Sequence, residues 1–242
     1  MHATDPKPTD QDIHDRIVDA ILGRRLQPGA RLIEADLAGL FGVSRTKVRN
    51  AIAKLTQDGI VQVIRNHGAS VVSPTRAEAR QVIAFRMMVE PPLAAALAHV
   101  RPTGAMPALR RHLAAEHAAR RLGDGAALIR LTGAFHLLLA RLHGNALLLR
   151  ALRDAGALLC LSIASYGRGD LAACPPDEHG RIVAAIGAGD AEEAAGLMRA
   201  HLVHVEHGMD LVEPAGPGAR AAALGCALDL PPRRTPARRR TA

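Results

Sequence analysis

Residues 42–52 read Gly42-Val43-Ser44-Arg45-Thr46-Lys47-Val48-Arg49-Asn50-Ala51-Ile52. The Gly-Val pair makes a tight turn. Ser44 is a good N-cap, because its hydroxyl accepts from an amide of the first helical turn that has no partner within the helix. Behind it, Val48, Ala51, Ile52 and Leu55 recur at the i, i+3, i+4, i+7 spacing of one helix face, and Gly59 ends the pattern. At about 100° per residue the opposite face carries Thr46 and Asn50, with Arg49 on one flank, Lys47 on the other and Arg45 near the start. Such a helix has an apolar back and a polar, cationic front.

Upstream, Ile13, Ile17, Ala20 and Ile21 share a face, which predicts a helix over 10–25 that Pro28-Gly29 breaks. A second short helix fits 34–41, anchored by Leu37 and Leu40. Downstream, Ile60–Ile64, the turn Arg65-Asn66-His67-Gly68 and Ala69–Ser73 read as a hairpin. Three helices and a two-stranded hairpin make a winged helix-turn-helix over 10–74, behind a flexible N-terminus of residues 1–9. Pro74 is the natural boundary.

From 75 to 212 the chain reads as six helices, over 76–99 (interrupted at Pro91-Pro92), 104–121, 126–143, 146–166, 176–188 and 190–212. The expected fold class is therefore mainly α, a winged helix followed by an antiparallel helical bundle. Of the 242 residues 48% are hydrophobic and only 2% aromatic, with no Trp, so the core must be aliphatic. That apolar share excludes a disordered chain. No apolar run reaches the roughly 18 residues a membrane span needs, and the polar N-terminus lacks a signal core, so a cytoplasmic protein is expected. Cys160, Cys174 and Cys226 are odd in number and widely spaced, which argues against a disulfide framework or a cysteine zinc site. The net charge is +8. Most of it falls in the Pro/Gly/Ala/Arg tail over 213–242, whose composition predicts disorder; the winged helix itself is only mildly basic.

In a helix-turn-helix the start of the second helix enters the major groove. Arg45 and Arg49 are the candidates for base edges, since arginine forks onto guanine O6 and N7. Ser44, Thr46 and Lys47 suit phosphates at a helix N-terminus, with Asn50 on the same face. Arg65, His67 and Gly68 at the wing tip reach towards backbone or minor groove. Pro28-Gly29-Ala30-Arg31-Leu32, Leu37-Ala38, the run 42–52, Leu55, Asp58-Gly59-Ile60 and Asn66-His67-Gly68-Ala69 resemble the GntR family of bacterial transcription regulators. The family usually has Pro and Glu where this chain has Lys47 and Asn50. The resemblance implies a homodimer on a near-palindromic double-stranded DNA operator.

Nine of the twelve histidines lie between 99 and 207. His179 shares a face with Ile182 and Ile186, and His201 with Ala194 and Leu197. His136 lies on a face with Thr132 and Leu139. Three imidazoles on three helices could converge inside a bundle as an open site for zinc or a related ion, or simply be satisfied core histidines. The residues Arg86-x-x-x-Glu90, Phe135-His136 with Gly144-Asn145, Glu178-His179 with Asp190, and Met198-Arg199-Ala200-His201 resemble the FCD type of ligand-binding domain, the FadR-like branch of the same family. Many such domains hold a divalent metal (zinc, nickel or manganese) through one Asp and three His. Here Thr132 stands at the usual Asp position. Arg86 lies on the face of Val82, Val89 and Leu93, hence inward, and needs an anion. Either Glu90 one turn on or the carboxylate of a small organic acid effector meets that need.

The leading reading is a ligand-responsive transcriptional regulator, a repressor rather than an activator, and not an enzyme. A metal-dependent hydrolase or lyase on the three histidines lacks His-Glu-x-x-His and a placed general base. A non-specific DNA binder working through the arginine tail leaves Arg86 and the histidines unexplained.

Overall fold

The computed structural model describes residues 7–65, 68–168 and 177–212. Residues 1–6, His67, Cys174, Cys226 and the arginine-rich tail from 213 onward fall outside the described residues. The elements, in order, are α1 (Asp10–Leu22), β1 (Arg31–Leu32), α2 (Glu34–Phe41), α3 (Arg45–Gln57), β2 (Val61–Ile64), β3 (Gly68–Val71), α4 (Arg76–Val100), α5 (Ala105–Arg121), α6 (Gly125–His143), α7 (Ala146–Tyr166), α8 (Glu178–Ala188) and α9 (Ala191–His207).

In the first half, Ile13, Ile17 and Ile21 of α1 pack on Val48, Ala51, Ile52 and Leu55 of α3, the four residues the periodicity assigns inward. Burying each such aliphatic chain contributes roughly 1.5–3 kcal/mol. Leu32, Val61, Ala69 and Val71 close this core from the sheet side. The sheet has three strands, not two, in the order β1-β3-β2 and all antiparallel. The extra strand pairs Arg31 with Ser70 and Leu32 with Ala69. Two residues carry no periodicity, and their partners lie far along the chain. Leu40 is not an anchor. It is 82% exposed, because α2 faces the core through Leu37, Ala38 and Phe41, and Leu40 points off that arc. The first helix ends at Leu22 with Gly23 as its cap, three residues short of expectation.

In the second half, α4 packs against α6, α7, α8 and α9. Leu93, Leu97, Phe135, Leu139, Ile182 and Met198 form the centre of the core. The helix α4 runs through Pro91 and Pro92 without a break. Each proline deletes one backbone hydrogen bond locally, while Leu93, Ala94 and Leu97 just beyond them are locked in the core. The last helix stops at His207, not at 212, and α8 starts at Glu178.

Two of these helices, α4 and α6, are long and apolar enough by length and composition to cross a membrane, contrary to the sequence expectation. In α4 the apolar stretch contains Arg86 and Glu90, which pair with each other inside the bundle.

The winged helix and the bundle meet where α1 contacts α6 and α7. Arg24 donates to the carbonyls of Gly167 (2.9 Å) and Ile163 (3.3 Å), so it caps the open end of α7. Asp19 of α1 pairs with Arg130 of α6. Tyr166 donates its hydroxyl to the Pro74 carbonyl at 2.7 Å. Leu161 of α7 is buried within the winged-helix core.

Candidate nucleic-acid interface and metal centre

The exposed face of α3 carries Arg45, Thr46, Arg49 and Asn50, and Ser44 precedes it as N-cap. The Ser44 hydroxyl accepts from the Lys47 amide at 3.3 Å. Arg65 and Gly68 are exposed at the wing tip. Gly68 has φ +78, a conformation that strains any side chain, which is why the turn needs glycine there. His67 cannot be placed with them because it lies outside the described residues.

Two of the expected contacts are already engaged within the chain. Lys47 is half-buried, and its Nζ donates to the Pro8 carbonyl at 3.0 Å. Arg49 donates through Nε to Glu34 Oε1 (3.0 Å) and through Nη2 to Glu34 Oε2 (2.8 Å). Its hydrogen bonds and charge hold the Glu34 carboxyl below the usual carboxylate range. Between α3 and the wing lies a cleft of about 430 Å³, whose lining includes Arg31, Glu34, Arg49, Val63 and Gly68.

In the bundle, His136 of α6, His179 of α8 and His201 of α9 are all buried, and their ligand atoms fall within 4.8 Å of one another. Each ring is held from behind by a carboxylate. His136 Nδ1 lies 2.5 Å from Glu90 Oε2, His179 Nδ1 is 3.0 Å from both oxygens of Glu116, and His201 Nδ1 is 2.9 Å from Glu178 Oε2. An ionised carboxylate only accepts, so each Nδ1 carries the proton and donates. Each Nε2 is then the unprotonated nitrogen of its ring. The Nε2 atoms of His136 and His201 face each other at 3.3 Å, and His179 Nε2 is buried with no partner.

The ionisation pattern fits this assignment. Burial would raise the Glu90 carboxyl, but the Arg86 guanidinium and His136 outweigh it and hold the acid far below its ordinary range. Burial would also raise Glu116, yet the His112 and His179 hydrogen bonds bring it down to about 2. Burial pushes His136 down to about 3, helped by the Arg86 charge and opposed by Glu90. Burial likewise lowers His201, against the Glu178 hydrogen bond. Two neutral rings with facing lone pairs repel unless a cation lies between them. Nitrogens about 2.0–2.1 Å from a tetrahedral zinc stand roughly 3.3–3.4 Å apart, which is the His136–His201 spacing. Carboxylates behind metal-bound imidazoles are the usual outer-shell arrangement. The residues present therefore fit a divalent cation.

Arg86 is buried and paired with Glu90, through Nε and, at 3.2 Å, through Nη2. It also lines a cavity of about 50 Å³ together with Thr132, Gly133, His136, Cys160 and His201. Both expectations for Arg86 thus meet in one place, the Glu90 partner and a small space beside the histidines. Thr132 lies at this cavity but donates its hydroxyl to the Ile129 carbonyl at 3.0 Å. Sequence reasoning missed Glu116 altogether and gave Glu90 and Glu178 other roles. The available signal was i, i+4 spacing: His112 pairs with Glu116 at 3.1 Å, and Arg86 with Glu90. The pairings to His179 and His201 are long-range and leave no local trace.

Two family models match the chain. One, described as FCD domain, covers residues 81–204. The other, described as bacterial regulatory proteins, gntR family, covers residues 9–71. An uncharacterized HTH-type transcriptional regulator in an unstable DNA locus of Streptomyces ambofaciens is 38% identical over 85 residues, 34% of this chain and 36% of that protein. The uncharacterized HTH-type transcriptional regulator YdhC of Bacillus subtilis is 29% identical over 85 residues, 35% and 38% of the two chains. The match thus spans little more than a third of these curated relatives. Among solved structures, a transcriptional regulator GntR from Rhodococcus sp. RHA1 superposes with a TM-score of 0.66 at 24% identity, over 82% of this chain and 95% of that one. McbR/YncC of E. coli gives 0.63 at 18% identity, over 82% and 97%. At such identities the likeness speaks for the fold.

Proposed function

The chain belongs to the GntR family of bacterial regulatory proteins, DNA-binding transcriptional regulators rather than enzymes, and carries an FCD domain; on that premise we propose that it is a homodimeric repressor released by a small carboxylate. It works in the cytoplasm, on a near-palindromic double-stranded operator. Arg45 and Arg49 read base edges. Ser44, Thr46, Lys47 and Asn50 hold the phosphates and groove wall, with Arg65, His67 and Gly68 of the wing beside them. For Lys47 this requires release from the Pro8 carbonyl.

His136, His179 and His201 hold one divalent metal, and a bound metal supplies a Lewis-acidic point that attracts a carboxylate. Glu90, Glu116 and Glu178 orient the rings and fix their tautomers. Thr132 adds no charge, so three neutral imidazoles set the inner shell. Arg86 lines the adjoining cavity and meets the acid's second charge or polar end. Acid binding shifts the population of winged-helix arrangements through the α1 contacts with α6 and α7. The observation that supports this reading best is the orphaned Nε2 of His179 beside the facing Nε2 pair, each ring held from behind by a carboxylate.

Selection of duplexes from a random pool should return a palindrome-like site, and Arg49→Ala should relax it by roughly tenfold to hundredfold. Uniform recovery of all sequences would remove the DNA reading. Elemental analysis of purified protein should find metal that a His136/His179/His201 triple alanine variant lacks; equal contents would remove the metal. Small carboxylates should release the selected duplex, and Arg86→Ala should blunt that response.

A further inference from the structure

Among the described residues lining the cleft between α3 and the wing, Glu34 is the acidic one and Arg31 and Arg49 are the basic ones. A surface that must approach phosphates gains nothing from a carboxylate, which repels every duplex alike. Nor does Glu34 cap its own helix by a side-chain bond, since Ile33 holds the cap position without one. What Glu34 does is grip Arg49 by the side edge of the guanidinium, Nε and Nη2, at 3.0 and 2.8 Å.

That choice of edge matters. A guanidinium has five N–H donors in a planar fork. With Nε–H and one Nη2–H given to Glu34, the end of the fork keeps one N–H on Nη1 and one on Nη2, parallel and pointing away from the chain. This pair is what guanine O6 and N7 accept in the bidentate contact. An unheld arginine carries about 2 kcal/mol of rotamer entropy that a base contact must overcome. Bidentate arginine–carboxylate geometry fixes the plane as well as the position.

We propose that Glu34 is a specificity-determining positioning residue, which clamps Arg49 with its end fork presented to a guanine edge. It raises discrimination by ordering the arginine and fixing its plane before contact, while its charge weakens binding to every duplex alike and so cancels in the ratio. This rests on the reading of α3 as the groove-inserted helix.

The test uses full-length protein, the duplex most enriched from a random pool by the wild type, and a scrambled duplex of the same length. Binding is followed by fluorescence anisotropy over a salt series. Glu34→Gln should tighten the scrambled duplex roughly threefold by removing one negative charge. It should cut the enriched-to-scrambled ratio by roughly tenfold, the scale of one base contact. Glu34→Asp keeps the charge but loses the reach, so it should leave the scrambled duplex at the wild-type value and still lower the ratio. In an Arg49→Ala background neither change should lower the ratio further. If Glu34→Gln tightens both duplexes alike and Glu34→Gln and Glu34→Asp both keep the ratio, the clamp is wrong and repulsion alone is left. If Arg49→Ala itself leaves the ratio unchanged, the groove reading of α3 fails and the clamp fails with it. Thermal unfolding of each variant separates these results from a misfolded winged helix.

Discussion

The histidine centre and the exposed face of α3 are both polar sites carried by helices, and the fold treats them in opposite ways. In the bundle, Arg86, Glu90, His136, His179 and His201 are buried, and almost every polar atom has a partner inside the chain. At the histidines the exception is His179 Nε2, which is buried without a partner where the three rings converge. On α3, Arg45, Thr46, Arg49 and Asn50 stand in solvent, where charges cost the fold little and stay available. In the function proposed above, the first site is a receptor for something small that enters the interior. In the same proposal, the second is a surface for something large that brings its own charge. Mutations should therefore damage stability at the first and binding at the second.

The largest effect should come from Glu90→Ala, which strands the buried Arg86 guanidinium and unhooks His136. Removing one partner of a buried pair typically costs about 3–5 kcal/mol. Urea unfolding should show that loss, and replacing the pair together, Arg86→Met with Glu90→Leu, should restore most of it. A loss below about 1 kcal/mol for the single change would mean that solvent reaches Arg86, and the contrast between the two sites would collapse.

Next comes Glu116→Gln. The amide oxygen can still accept from His179, so packing survives, but the ring loses its charged support and its basicity. Loss of an outer-shell partner typically weakens metal binding about 10–100-fold. Competition against a chelator measures this, with the unfolding midpoint as control. Unchanged affinity would show that the carboxylates are ordinary salt-bridge partners and do not prime the rings.

The two regions also differ in how much of them the sequence makes legible. The winged helix is built from local signals. Val48, Ala51, Ile52 and Leu55 repeat at helical spacing, Ser44 caps, and Gly68 marks the turn, so α3 and the hairpin can be read within a window of thirty or so residues. What escapes there is long-range or too short, as with β1, or depends on which arc of a two-turn helix faces inward, as with Leu40. For the histidine centre, the inward faces of His136, His179 and His201 are readable one helix at a time, but their convergence is not. The family resemblance supplied it. Glu116, separated from His179 by two intervening helices, had no readable link to that ring, because no period relates residues 63 positions apart.

The smallest effect tests the same contrast at the level of helix starts. Thr9 and Thr75 begin α1 and α4 with capping boxes closed by Asp12 and Glu78, three residues on. There the backbone amide of the cap donates to the carboxylate, at 2.8 Å for Thr9 and 2.7 Å for Thr75. Ser44 begins α3 in the same way, but the third helical position is Lys47 and the first is Arg45. Two cations thus occupy the positive end of the helix dipole, where anions are favoured by about 0.3–1 kcal/mol each. Arg45 stands in solvent, whereas Lys47 is half-buried and bonded to the Pro8 carbonyl. A phosphate at that end would relieve the strain, with the free amides and both cations converging on it. The variant Lys47→Glu creates a Ser-x-x-Glu capping box analogous to the Thr9–Asp12 and Thr75–Glu78 boxes, at the expense of the Lys47 bond to the Pro8 carbonyl. The free protein should then be as stable as the wild type, within about 0.5 kcal/mol, because the gained box offsets the lost bond. DNA binding should weaken for every sequence alike, with the salt dependence falling by about one unit of slope. If stability drops well below the wild type while the slope stays the same, Lys47 is a fastener for the N-terminal segment and not a phosphate contact, and the helix start is basic for the sake of the fold.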